Sequence, residues 1–137
     1  MQKTKQLPRG IRNNNPLNIR IGNVWLGEVD QNTDLVFEQF VSMKYGIRAA
    51  FVLLRRYINH YHLTTISEII SRWAPPSENS TVRYIDTVCQ LSGIPSDQPL
   101  KFTYKESMCK LVFAMAQVEC SGHKLDMNLI QSAYDIS

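Results

Sequence analysis

The spacing of apolar residues divides the chain into an irregular first part and a helical remainder. From Asn13 to Phe40 the residues are turn-rich and partly alternating, with "NIRIGNVW" and "LVFEQF" on either side of "GEVDQNTD". This alternation predicts two short strands in a β-hairpin. A helical period follows and predicts a helix from about Lys44 to Tyr61. The apolar residues that set this period are Tyr45, Ala49, Val52, Leu53 and Tyr57.

Capping and stop signals predict the helices that follow. "TISE" has the spacing of a capping box and starts a short helix that runs through Trp73 and is broken by two prolines. Ser80 or Asn79 can cap the next helix, and Gly93 ends it. The face predicted for this helix comprises Val82, Ile85, Val88, Cys89 and Leu91.

A second capping box, "TYKE", predicts the start of the most apolar helix, "SMCKLVFAMAQVE", which stops at "CSG". A last short helix is expected from about Asp126 to Tyr134. The pattern as a whole predicts an α+β fold that is predominantly helical, with one small β-hairpin. We expect a basic, flexible tail over residues 1–10 and a single domain over residues 11–137.

Composition narrows the class of protein. The chain has 137 residues, of which 44% are hydrophobic and 20% charged, enough for a buried core without metal or disulfide staples. Its apolar stretches fall short of the roughly 18 residues that a membrane span needs. The basic first ten residues lack the apolar region of a signal peptide, so we expect no Sec-type export.

Charge and cysteine content exclude further classes. The net charge of +3 suits an anionic polymer, but no Lys/Arg run marks a nucleic-acid-binding arm. Cys109 and Cys120 lie about 16 Å apart on one predicted helix and cannot bridge, so we expect reduced, buried thiols. The three histidines fit no zinc template. We therefore expect neither a metal nor a cofactor.

The stretch "RNNNPLNIR" at residues 12–20 concentrates short amide side chains beside a proline. Asparagine favours turns and left-handed conformations, so one interpretation is a local turn. The other is that Asn14 and Asn15 face a ligand rich in hydrogen-bonding groups, such as a sugar.

Three further segments hold candidate chemistry. Glu28 and Asp30 lie in the predicted hairpin, where they form either a solvated turn or a carboxylate lip over a cleft. "PPSENSTVRYIDTV" places Glu78, Asn79 and Tyr84 at a helix start, as capping and core residues or as groups that lean into a cleft.

Glu119 ends the apolar helix and precedes Ser121 and Gly122. The helix dipole disfavours a negative charge at that end, and apolar neighbours raise the pKa of a carboxyl further. A general acid at neutral pH requires these conditions. The alternative interpretation is an exposed Glu one turn before a glycine stop.

Together these segments resemble the lysozyme-like virion proteins of tailed phages and prophages, which include structural proteins and lytic transglycosylases. The resemblance covers about residues 9–123. It is carried by "RGIRNNNPLNIR", the Trp25–Gly27 pair in "VWLG", "FEQFVSMKYGIRAAFVLLRRY", "TISEIISRWAPPSENSTVRYIDTV" and the late "VECSG".

A looser similarity links "NNNPLNIR", "VWLG" and "FEQF" to flagellar-type glucosaminidases, and "ENSTVRYIDTV" to Slt-type transglycosylases. In those enzymes the catalytic Glu comes first, whereas residues 1–12 here contain no Asp or Glu. The helix-ending Glu that has Ser and Gly behind it is Glu119, although "ECSG" carries an inserted Cys. The resemblance therefore implies a circularly permuted lysozyme-like domain in which Glu119 lies next to the asparagine turn.

The activity that the resemblance implies is glycosidic cleavage of peptidoglycan, as a lytic transglycosylase or a muramidase. Glu119 would protonate the oxygen between N-acetylmuramic acid and N-acetylglucosamine. A lone Glu implies a transglycosylase or a substrate-assisted course, whereas Glu28 or Asp30 as a second carboxylate implies hydrolysis by activated water. The implied substrate-binding residues are Asn14, Asn15, Glu78, Asn79, Tyr84 and Trp25, with Trp25 and Trp73 also candidates for the core.

The rival interpretation is a non-enzymatic phage structural or cell-wall-binding protein that keeps the lysozyme-like fold, since a fold does not fix a function. In either case the expected partners are peptidoglycan glycan strands and other virion or secretion-machine proteins. The expected location is the virion, or the bacterial cell wall and periplasm reached by a non-Sec route.

Overall fold

The computed structural model describes residues 6–76 and 80–137. The described part of the chain is predominantly helical, as the sequence predicts. Its helices are α1 (Arg9–Arg12), α2 (Met43–Asn59), α3 (Ile66–Trp73), α4 (Thr81–Ser92), α5 (Lys105–Glu119) and α6 (Met127–Asp135).

Helix α5 is the centre of the helical part. It packs against α2, α4 and α6, while α3 packs on α4 and α2. A helix that is apolar on most of its circumference is stable only when it is surrounded, and α5 meets this condition. Its fully buried side chains are Met108, Leu111, Val112, Ala114, Met115 and Ala116.

The irregular first part forms an arm, residues 19–41. Within the arm, the segment 36–41 makes backbone hydrogen bonds to residues 19–21 and to residues 27–29. The backbone bonds join Glu38 N to Ile19 O, Ile21 N to Val36 O, Val29 N to Gln39 O, and Val41 N to Gly27 O. The predicted pairing of residues 18–25 with residues 35–40 is therefore found at residues 19–21 and 36–38, whereas the sequence does not predict the second pairing, of residues 39–41 with residues 27–29. Among the described residues the arm has isolated antiparallel bridges, Arg20 with Phe37 and Glu28 with Phe40, instead of continuous strands.

The capping signals were predictive only in part. Thr65 accepts a hydrogen bond from the Glu68 backbone N–H at 3.2 Å, so the first capping box is confirmed. Gly93 ends α4 in the left-handed region, with φ of 74°. The second capping box is wrong, because Tyr104 occupies the N-cap position of α5 and makes no side-chain capping bond.

The buried face of α4 differs from the predicted one. Val82 is 72% exposed and Leu91 is also exposed, whereas Tyr84 and Val88 are buried. The helix therefore turns Tyr84 towards α5, with which it shares its main contact. The positions of apolar residues alone do not predict this buried face, because it includes two polar residues, Thr81 and Ser92.

The N-terminal boundary of the folded part lies before residue 11. Arg9 begins α1 and forms a two-point ion pair with Asp34, at 2.6 and 2.7 Å. Gly10 is buried, and a Cβ there would lie 2.9 Å from the Cys120 sulfur. Residues 9 and 10, which the sequence assigns to the tail, thus pack on the domain.

No helix among the described residues is long and apolar enough to cross a membrane. All three cysteines are free thiols, with Cys109 and Cys120 buried and Cys89 half-buried.

A close backbone approach fixes how α2 meets the asparagine turn, residues 13–18. A Cβ at Gly46 would overlap the carbonyl oxygen of Asn14. Only glycine allows this approach, although alanine is otherwise the better helix former by about 1 kcal/mol.

We therefore expect Gly46→Ala to lower the free energy of unfolding by about 3 kcal/mol, because the overlap with backbone outweighs the gain in helix propensity. Urea denaturation measures this change. Gly22→Ala is the matched control, since a Cβ at Gly22 meets nothing within 4 Å. A Gly46→Ala variant as stable as the wild type would refute the close approach.

Candidate functional site

The three consecutive asparagines fasten the turn to the arm. Asn13 donates to Asp34 at 2.9 Å and accepts from Gln39 at 3.0 Å. Asn14 takes a left-handed conformation, φ of 53°, and donates to the carbonyl of Phe40 at 3.0 Å. These bonds explain the amide-rich sequence by structure, without a ligand.

Asn15 is the most constrained of the three. Its side chain donates to the carbonyls of Ile19 and Glu38 and accepts from the Ile19 N–H, and the residue is 0% exposed. A buried amide with all of these partners stabilises the turn, and it offers no polar atom to a saccharide.

The fourth asparagine of the stretch meets the opposite end of the chain. Asn18, also left-handed with φ of 52°, donates from Nδ2 to Glu119 Oε1 at 3.0 Å. The same nitrogen lies 3.4 Å from the Glu119 carbonyl oxygen. The prediction that the asparagine turn and Glu119 lie side by side is thus confirmed, with Asn18 rather than Asn14 or Asn15 making the contact.

The end of α5 fixes where Glu119 points. Ser121 adopts φ of 53° and the N–H of Gly122 donates to the carbonyl of Gln117 at 2.7 Å, which is a Schellman-type ending. The buried Cys120 thiol donates to the carbonyl of Pro16 at 3.2 Å. Burial beside Glu119 raises the pKa of Cys120 to about 11, so the thiol keeps its proton for this bond.

Tyr84 supplies the second hydrogen bond to the carboxylate. Its hydroxyl donates to Glu119 Oε2 at 2.8 Å, and the residue is 6% exposed. Burial, and then the charge of Glu119, raise the pKa of Tyr84 well above its ordinary value. The hydroxyl therefore keeps its proton to higher pH than an exposed tyrosine does, and its hydrogen bond holds the carboxyl in place.

Opposing effects set the pKa of Glu119. Burial raises it, while the hydrogen bonds from Asn18 and Tyr84 lower it, and the net shift is upwards. The direction agrees with the prediction from the helix end and its apolar neighbours. A carboxyl of this kind retains a proton at higher pH than an exposed Glu, as a general acid requires.

A groove runs past Glu119 between the arm and the helices. A cavity of about 100 Å³ next to the carboxylate is lined by Leu17, Asn18, Arg20, Phe37, Trp73, Ala74 and Glu119. A second cavity of about 200 Å³ shares Asn18, Arg20 and Trp73 with the first, and adds Ile19, Asn23, Leu53 and Tyr57. Because they share these lining residues the two cavities are neighbours, and together they are called the Glu119 groove.

The other predicted site residues lie elsewhere. Glu28 is paired with Glu38 in the arm, Asp30 is exposed, and neither lines the Glu119 groove. Trp25 is 7% exposed and belongs to the core. Glu78 and Asn79 lie outside the described residues.

Sequence reasoning missed Asn18, Arg20 and Tyr57 as groove residues. Asn18 stood in the asparagine-rich stretch, but only its left-handed backbone, which a sequence does not reveal, turns it towards Glu119. Tyr57 belongs to the helical apolar period of α2, a pattern that is typical of core residues. Its ring instead borders the groove, 5.7 Å from that of Trp73.

The described residues include no group of three or more His, Cys, Asp or Glu side chains that could hold a metal ion. The chemistry that this site can perform with its own residues is proton transfer by Glu119.

Two comparisons with known proteins bear on the identity of the chain. No protein-family model matches it. The chain is 38% identical over 131 residues to Protein P5 of Pseudoalteromonas phage PM2, an alignment that covers 93% of this chain and 80% of that protein.

We expect Tyr84→Phe to raise the pKa of Glu119 further, because the variant removes a hydrogen bond that favours the charged carboxylate. A carbon-13 NMR titration of the Glu119 carboxyl measures the change. Tyr61→Phe, at an exposed tyrosine, is the control and should leave the titration unchanged. An unaltered or lower pKa in Tyr84→Phe would contradict the geometry.

Proposed function

The chain belongs to the family of Protein P5 of Pseudoalteromonas phage PM2, and we propose that it is a phage protein that cleaves peptidoglycan glycan strands with Glu119 as the general acid. The observation that carries the proposal is the setting of Glu119. It is a half-buried carboxyl of raised pKa, held by Asn18 and Tyr84 at the wall of a groove.

In the proposed reaction Glu119 donates its proton to the glycosidic oxygen as the bond between that oxygen and the sugar C1 breaks. The positive charge that develops on the sugar ring then needs a nucleophile. Among the described residues that line the Glu119 groove, Glu119 is the one carboxylate. The lack of a second carboxylate favours an internal nucleophile, which is the sugar's own hydroxyl or N-acetyl group. Glu119 then acts as the base. The reaction would therefore follow the transglycosylase or substrate-assisted course.

The groove has the mixture of surfaces that a glycan needs. One half is lined by the rings of Trp73 and Tyr57 and by the polar side chains of Asn23 and Arg20. Aromatic rings bury apolar area at small entropic cost, and the polar groups fix orientation. We therefore assign sugar binding to this half of the groove and the chemistry to the half that holds Glu119.

A lysozyme-like and circularly permuted domain is the fold that goes with this proposal. Gln6, Leu7 and Pro8 line one cavity together with residues 120–123, which follow the end of α5. Residues 6–8 therefore lie where an unpermuted chain would continue from the catalytic Glu into the asparagine turn. This juxtaposition supports the permutation.

A second candidate is a non-enzymatic phage structural or cell-wall-binding protein that keeps the fold. The comparison with a phage protein supports this candidate better than it supports an enzyme. A structural role is also compatible with the site, because both Glu119 carboxylate oxygens accept hydrogen bonds from the protein. Its partners would be other virion proteins, and in both proposals the protein acts with the phage particle.

The test is digestion of purified peptidoglycan, with the products identified by mass. We expect the wild type to release muropeptides with an anhydro end, and Glu119→Gln to be slower by about 10²–10⁴-fold because an amide cannot donate a proton to the glycosidic oxygen. Products with a reducing end would instead indicate hydrolysis.

Glu106→Gln is the matched control, the same change at the exposed start of the same helix, and should digest like the wild type. Equal activity of Glu119→Gln and wild type would refute Glu119 as the acid. If the wild type releases nothing but sediments with peptidoglycan or with phage particles, the second candidate is correct.

A further inference from the structure

Two glutamates of the arm form a buried pair away from the Glu119 groove. Glu38 is 5% exposed, and its carboxyl shares a hydrogen bond with that of Glu28. If both carboxyls were charged, the buried oxygens Glu28 Oε1 and Glu38 Oε2 would find no hydrogen-bond donor among the described residues. A carboxylate only accepts hydrogen bonds, so two carboxyls can share one only when one of them carries a proton.

The pair links two segments of the arm, residues 27–29 and residues 38–41. Glu28 is opposite Phe40 in an antiparallel bridge, and Glu38 lies two residues from Phe40, in the diagonal position on the same face. The backbone bonds on this side run from Val29 N to Gln39 O and from Val41 N to Gly27 O. The side-chain bond between the glutamates therefore reinforces a short ladder of two backbone bonds.

The charged group that shifts the pKa of Glu38 is its neighbour Glu28. Burial raises the pKa of Glu38 to about 7, and the hydrogen bond and charge of Glu28 contribute to the shift. The asparagine turn presents only the neutral amide of Asn15, which bonds to the Glu38 carbonyl. Helix α2 presents the ring of Tyr45 against Gly27.

We propose that Glu28 and Glu38 are a pH-sensitive clamp that holds the arm together while the two carboxyls share a proton and loosens it when that proton is lost. When both are charged, like charges repel across a ladder of two backbone bonds, and the ladder opens. The clamp therefore keeps this side of the arm closed at acidic pH and lets it open above about pH 7.

The sign of the effect follows from proton linkage. An unfolded Glu titrates near about 4.3, so between that pH and about 7 the folded protein binds more protons than the unfolded chain. The stability contributed by the protonated pair is complete below this window. It falls as the pH rises through the window and is lost above about 7. Glu119 also has a raised pKa, so global stability alone cannot separate the two sites.

Amide hydrogen exchange followed by NMR separates them, because it measures opening at the ladder itself. In the wild type we expect the protection factors of the Val29 and Val41 amides to fall by about tenfold or more between about pH 5.5 and about pH 8.5. In Glu38→Gln the amide donates to Glu28 as the protonated acid does, so the protection should be equal at both pH values.

Glu28→Gln makes the reciprocal replacement and should give the same pH-independent protection, so the test does not depend on the folding of one variant. Glu106→Gln, on α5, is the control and should keep the pH dependence of the wild type. Equal protection of the wild type at the two pH values would overturn the proposal. So would a pH dependence that persists in both glutamine variants of the pair.

Discussion

The asparagine turn is the constraint on which the rest of the structure depends. Its amides bond to the arm, its backbone touches α2 at Gly46, and Asn18 reaches Glu119. Each contact needs a short amide or a left-handed residue at one position, because a longer side chain or a Cβ at Gly46 would not fit. One stretch of six residues therefore sets the positions of the arm, the helices and the acid.

The site is assembled from three parts of the chain that are distant in sequence. Asn18 comes from the turn, Tyr84 from α4 and Glu119 from the end of α5, and the two donors bond to different oxygens of one carboxylate. The Schellman-type ending of α5 and the thiol bond from Cys120 to Pro16 hold the three together. The packing that brings these residues together also buries Glu119, and burial raises the pKa of its carboxyl.

Local signals in the sequence predicted a good part of this fold. The capping box at Thr65, the glycine stop at Gly93 and the apolar centre of α5 depend on neighbouring residues and could be found from spacing. The upward shift of the Glu119 pKa was also predicted, from its helix end and its apolar neighbours, and burial is its main cause in the structure. What escaped prediction was set by distant contacts: the buried face of α4, the second pairing of the arm, and which asparagine reaches the acid.

The claim that the Glu119 groove binds a glycan is tested most directly by a crystal structure of Glu119→Gln grown with an N-acetylglucosamine tetramer. The account predicts sugar rings against Trp73 and Tyr57, with a glycosidic oxygen within hydrogen-bond distance of the residue at position 119. A tetramer bound on another surface, or a groove that stays empty at saturating tetramer, would contradict it.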